Sequence, residues 1–280
     1  MSARKLAPTV AEQIDLKVNR AYVATPSSIG VTENEQPSDL LRFALDQGFN
    51  HICQRDGFDC AREIASAESM IADPESFFKH PVSTIISPSS AGASRDGEII
   101  KVQKEFHSSA QKRELLEEFE NYLTGCGLSQ TLTGDVTAVA DEFITNALYN
   151  APFIDPATSH NPGLNRLDTE INLEKGKFGR ITLGHDENLL VVACEDPYGS
   201  LNLTHYLTKI QKTYLSGPGS TMNFGRGGAA LGSYIIFNAG SSLHFGVKSA
   251  RVTMLSCALP LKMSYKKRVQ LPKHLHLIRL

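Results

Sequence analysis

Hydrophobic positions along the chain change period several times, and each change marks where one element gives way to another. Residues 110–127, AQKRELLEEFENYLTGCG, place Leu115, Leu116, Phe119 and Leu123 at helical spacing and end in Gly125 and Gly127, which predicts a helix with a glycine stop. A second helix is predicted over 133–151, TGDVTAVADEFITNALYNA, with Thr133 or Asp135 as its cap. GRITLGHD and NLLVVACED read as two strands joined by a turn at 184–188. The polar and aromatic stretch 200–224 reads as a loop. Beyond it, LGSYIIFNAG is helix-like and SLHFGVKSARVTMLSCALP is a closing strand pair.

Upstream, NRAYVAT (19–25) and NHIC (50–53) read as strands, and SDLLRFALDQG (38–48) and DCAREIASAESMI (59–71) as helices. The alternation predicts a small α/β domain. A receiver-like module is one option for it, and a degenerate one, because the first strand-like run ends in NRAYVATPSS without the acids that a receiver uses to hold magnesium. SPSSAGASRDGE, at 87–98, has no hydrophobic period and reads as linker sequence. The expected division is an N-terminal α/β regulatory domain at 1–96, a linker at 97–105, a second domain at 106–262 and a basic tail at 263–280. The tail carries Lys266, Lys267, Arg268, Lys273 and Arg279 among leucines and reads as a solvated or loosely packed terminus. The fold class is α/β, with helices layered on one face of a mixed sheet in the second domain.

A length of 280 residues suits two ordinary domains or one large one. The formal net charge of −2 lacks the basic excess that nucleic-acid or membrane-surface binding draws on, so neither partner is expected. Cys53, Cys60, Cys126, Cys194 and Cys257 are scattered, form no C-x-x-C pair and read as reduced thiols of a cytoplasmic protein. The amino terminus has no apolar core of a signal peptide, and no apolar run approaches a membrane span. The histidines show no metal-ligand spacing, and His107, the one that invites comparison with a phosphoacceptor, reads as a surface residue.

Three short motifs carry the candidate chemistry. Glu142 and Asn146 lie four apart on the second predicted helix and so share a face. Asp196 closes an apolar strand and is followed by Pro197 and Gly199, a tight-turn signature. Gly225, Gly227, Gly228 and Gly232, with Arg226 among them, precede or open an apolar helix, where backbone N–H groups can approach phosphate oxygens. Each is common alone, and the P-loop pattern is missing.

Their order is specific. DEFITNALYNAP, EDPYGSL and GRGGAALGSYII, in that sequence, resemble the N box and the two glycine boxes of GHKL ATPases, the gyrase, histidine-kinase and mismatch-repair types, over residues 106–262. Within that superfamily the chain is most similar to the anti-sigma-factor serine kinases and histidine-kinase-like domains of bacterial signalling. The resemblance implies an α/β two-layer sandwich that binds ATP with Mg²⁺. It implies Glu142 as general base or water-orienting acid, Asn146 as magnesium ligand, Asp196 as the adenine-reading acid with Thr253 as helper, and Gly199 as the adenine-side turn. Gly225, Arg226, Gly227, Gly228 and Gly232 form the phosphate loop in this reading. The activity it implies is transfer of phosphoryl from Mg-ATP to a serine or threonine of a signalling partner, anti-anti-sigma-like or response-regulator-like, with a homodimer left open. The alternatives are a non-catalytic ATP-gated interaction module and a histidine-kinase or phosphotransfer relative. Ala230 stands where the second box expects glycine, Ser233 where it expects leucine, and Leu201 where the first box expects its later glycine.

Overall fold

The computed structural model describes residues 10–88, 100–153, 170–216 and 229–280. Strands β1 (Glu12–Asp15), β2 (Ser28–Thr32) and β3 (His51–Gln54) run parallel, with helix α1 (Pro37–Asp46) between the second and third. Helices α2 (Cys60–Ala72), α3 (Pro74–Lys79) and α4 (Pro81–Ile86) follow. Then come β4 (Ile100–Phe106), α5 (Lys112–Gly125), α6 (Gln130–Thr145), β5 (Gly179–His185) and β6 (Leu189–Asp196). The chain ends with α7 (Leu203–Ser216), α8 (Ala229–Ala239), β7 (Ser242–Lys248), β8 (Val252–Pro260), α9 (Tyr265–Gln270) and β9 (His274–Arg279). Among the described residues, nine strands join one mixed sheet in the order β1-β2-β3-β9-β7-β8-β6-β5-β4. Among the described residues no helix is long and apolar enough to cross a membrane.

Both faces of this sheet are covered. Along β6, Leu190, Val192 and Cys194 pack into the cluster formed with α1, α5, α6, α7 and α8, whereas Leu189, Val191 and Ala193 meet Met70, Phe77, Phe78, Val82, Ile85 and Ile86 of α2, α3 and α4. A strand buried on both sides reads as a continuous apolar run, which is why NLLVVACED shows no alternation. Local signals place the back layer. The Asp59 side chain caps α2 by accepting from the Arg62 amide, and α3 and α4 each open with proline, whose missing N–H costs nothing in a first turn. Arg62, nearly fully buried, then bridges Asp59 at 3.0 Å and Asp186 of the β5–β6 turn at 3.1 Å, so α2 is pinned to the second half of the sheet.

Several expectations change here. The sheet does not divide at a linker: residues 100–105, assigned to the 97–105 linker, form β4 together with Phe106 and pair along their length with β5, while 89–99 lie outside the described residues. NRAYVAT is not a strand; the parallel strand is Ser28–Thr32, and Glu12–Asp15 adds another. Part of the 200–224 loop is helix α7, whose Leu203, Leu207 and Ile210 supply the helical spacing that its polar residues obscured. Helices cover two faces rather than one, because the N-terminal helices fold back over the sheet. The largest change concerns the tail. Its residues form α9 and then β9, inserted between β3 and β7 with five of six residues buried.

Leu275 is fully buried in β9. Leu275→Ala should cost about 2–5 kcal/mol in denaturant unfolding, as for a large-to-small change in a packed core. A solvated tail would hold the change within about 0.5 kcal/mol.

Candidate functional site

Helix α6 starts earlier than its sequence suggests. Ser129 is the cap, accepting from the Leu132 amide at 3.3 Å, and Asp135 instead pairs with Arg268 of α9. The helix ends at Thr145 and passes into a π-helical turn, Asn146–Asn150, in which the Asn146 amide reaches both the Glu142 and Phe143 carbonyls. Such an inserted residue often marks a functional position. Glu142, Asn146 and Asn150 are all half-buried along this stretch, and Asn150 Nδ2 donates to Asn146 Oδ1 at 2.5 Å. Gly232, in the first turns of α8, lies against Glu142 so closely that a Cβ there would fall on the carboxylate. The glycine keeps the opening of α8 in contact with the acid of α6. Gly225, Arg226, Gly227 and Gly228 lie outside the described residues.

Asp196 occupies the last position of β6 and is only 7% exposed. Thr253 of β8 is directly opposite it in the ladder, and the two side chains share the face that α6 and α8 cover. Burial pushes the Asp196 carboxyl up from 3.8 to about 7, against the pull of the Tyr198 amide, the Thr253 hydroxyl and the Gly199 amide, and the nearby Glu195 charge pushes it up further. The Tyr198 amide donates to Asp196 Oδ1 at 3.0 Å. Thr253 Oγ1 is close enough to favour the carboxylate, while among the described residues no partner meets strict hydrogen-bond geometry with it. Gly199 adopts φ +58°, and a Cβ there would strike the backbone of Lys248, Arg251 and Val252, so the turn after Asp196 needs glycine on both counts.

Two further contacts bring the motifs together. Ser200 Oγ donates to the Ala151 carbonyl at 2.8 Å, tying the turn after β6 to the end of the π-helical segment, and the Ala250 amide donates to the Gly199 carbonyl at 3.3 Å, tying it to the β7–β8 turn. The structure therefore groups Glu142 with Gly232 and Asp196 with Thr253 and Gly199, and Ser200 joins the turn after Asp196 to the segment that Asn146 opens. Sequence reasoning missed Ser200, although it stands inside the first glycine box. It also missed Lys112, whose Nζ donates to Thr145 Oγ1 at 2.6 Å and pairs with Asp141 at 2.7 Å beside Glu142. A shallow groove of about 320 Å³ between α5 and α6 includes Lys112 and Asp141 but none of the predicted site residues. His107 follows β4 rather than lying on a helix, with Nδ1 3.2 Å from the Lys177 carbonyl oxygen. No protein-family model matches the chain, and no curated protein matches it either.

Because the folded-state Asp196 carboxyl binds its proton more tightly than the unfolded one, the native chain holds extra proton between about pH 4 and 7. The associated stability is complete below pH 4 and is lost as pH rises through 7. A rise from 3.8 to about 7 corresponds to about 4 kcal/mol. Asp196→Asn keeps the oxygen that the Tyr198 amide reaches and removes the titration. Urea unfolding should show the variant gaining on the wild type by up to that amount between about pH 3.5 and 7.5. A difference that stays flat with pH would contradict the buried acid.

Proposed function

We propose that the chain is an ATP-binding signalling protein of GHKL type, bacterial and cytoplasmic, which transfers the γ-phosphoryl group of Mg-ATP to a serine or threonine of a partner protein. The observation that carries this reading is the Asp196–Thr253 pair. A buried acid at a strand end, facing a buried hydroxyl across the ladder and followed by a turn that admits only glycine, offers one acceptor and one donor to a flat heterocycle bearing an exocyclic amine.

In this scheme Asp196 accepts from the amine and Thr253 Oγ1 donates to a ring nitrogen. Glu142 takes the proton of the acceptor hydroxyl as that oxygen bonds to the γ-phosphorus, and ADP departs with the pair of electrons from the broken P–O bond. Mg²⁺, when bound, neutralises charge that develops on the phosphates. Asn146 is the residue that would hold it, once its Oδ1 exchanges the Asn150 amide for the ion. The opening of α8 supplies backbone donors to the phosphates.

The Asn146–Asn150 hydrogen bond and the close seat of Glu142 on Gly232 favour a second reading, an ATP-gated interaction module without turnover. Calorimetric titration with Mg-ATP should show binding that Asp196→Ala weakens roughly 10- to 100-fold, the worth of a hydrogen bond to a charged group. Absence of binding by the wild type would overturn both readings. Transfer of labelled phosphate to a partner, reduced at least about 100-fold in Glu142→Ala while ATP still binds, separates the kinase from the module.

A further inference from the structure

Six residues that the proposed nucleotide site leaves unused converge on the opposite face of the sheet. In β9, His274 and His276 alternate with leucine, and in β7, Ser242 and His244 do the same, so period two turns all four polar side chains to one side. The ladder sets His276 beside His244 on one flank and beside His51 of β3 on the other. Glu63 of α2 descends onto this row. Its Oε2 lies 3.0 Å from His276 Nε2, 3.9 Å from His244 Nε2 and 2.8 Å from Ser242 Oγ. All of these side chains are buried, with Glu63 1% exposed and His244, His276 and Ser242 at 0%.

The cluster does not satisfy itself as a hydrogen-bonded layer. A neutral imidazole must carry a proton on one nitrogen, yet among the described residues neither Nδ1 nor Nε2 of His244 has a hydrogen-bond partner. A buried donor left unpaired costs about 1–3 kcal/mol. Glu63 adds a carboxylate removed from water, which draws on Ser242 and on imidazoles rather than on a cation in contact with it. One ring nitrogen of His244, one of His276 and one Glu63 oxygen lie mutually within 4.8 Å.

We propose that Glu63, His244 and His276 form a structural site for a divalent transition metal of the zinc class, which ties helix α2 to strands β7 and β9. Two imidazoles and one carboxylate match the nitrogen and oxygen preference of Zn²⁺ and exclude the all-oxygen shell that Mg²⁺ or Ca²⁺ requires. His51 Nδ1, 3.1 Å from His276 Nδ1, is placed to accept from it and so hold His276 with Nε2 toward the ion, and Ser242 Oγ orients the carboxylate. The ion replaces the proton now shared between His276 and Glu63 and supplies the missing positive charge. The His244 and His276 rings stack 10° from parallel with centroids 4.6 Å apart, so coordination tilts them out of the stack until both lone pairs meet the ion. Full burial makes the site one that loads as the chain folds. It is independent of the nucleotide reading.

The test is to refold the full chain with ZnCl₂ or CoCl₂, remove unbound ion, and measure metal by mass spectrometry together with the Co²⁺ visible spectrum. The expected result is about one ion per chain, a d–d band of low-coordinate cobalt without a thiolate charge-transfer band, and a Tm raised by about 5–10 °C over metal-free protein. His244→Phe keeps a ring to stack between Phe77 and His276 and should abolish uptake, as should Glu63→Gln. Wild-type protein that takes up neither metal overturns the site, and so does undiminished uptake in folded His244→Phe. If a variant fails to fold, the wild-type stoichiometry and cobalt spectrum still decide.

Discussion

Strand β9 is held by an antiparallel partner, β3, on one side and a parallel partner, β7, on the other, so its backbone groups are committed to two halves of the sheet at once. Without it, the parallel β1-β2-β3 unit and the β7-to-β4 unit would each present an open edge, the arrangement that invites pairing with other chains. The last residues of the chain therefore decide whether the first fifty belong to the same body. Side chains reinforce that backbone bond from both faces. Leu275 and Leu277 enter the front cluster with Phe49 and Phe245, and Ile278 enters the back cluster with Phe77 and Phe78.

The segment leading into β9 also fixes the helices of the candidate site. Arg268 reaches Asp135 on α6, and Lys273 Nζ donates to the Asn238, Gly240 and Arg268 carbonyls at 3.1, 2.7 and 3.2 Å. Two of those carbonyls sit at the carboxyl end of α8, where a cation meets the negative pole of the helix. Burial pulls the Lys273 amine down to about 8, a cost that three carbonyl acceptors offset in part. α6 carries Glu142, and α8 carries Gly232 against it. Their mutual seat is thus set from the far end of α8 by residues that composition alone marks as a basic tail.

Much of the front layer was legible because its signals are local. Leu115, Phe119 and Leu123 repeat at helical spacing, Gly125 and Gly127 stop α5, and the apolar run of β6 ends at Asp196. The candidate site was legible as motif order, and the structure seats Gly199 and Gly232 where a side chain would collide. What was not legible depends on distant partners. Lys and Arg in 263–280 read as solvated, yet Arg268 and Lys273 are buried by Asp135 and by helix-end carbonyls more than thirty residues away. β4 hid behind Lys101, Gln103, Lys104 and Glu105, a polar pattern natural to an edge strand that needs only β5 for its hydrogen bonds. The π-helical turn at Asn146 has no sequence signature, since NALYN continues the helical pattern.

The two polar clusters on this sheet are mirror consequences of one register. On β8, Thr253 faces the front with Asp196, and Ser256, three residues on, faces the back beside His244. A slip of β8 by one residue against β7 or β6 would exchange these faces, placing apolar Met254 beside Asp196 and removing the hydroxyl from the front site. Such a slip would also turn Leu255 and Cys257 out of the front core and Met254 and Ala258 out of the back one. Both faces of the strand are packed, so the register is specified twice over. The buried acid on the front and the buried histidines on the back can each hold a defined geometry because apolar layers above and below resist the same displacement.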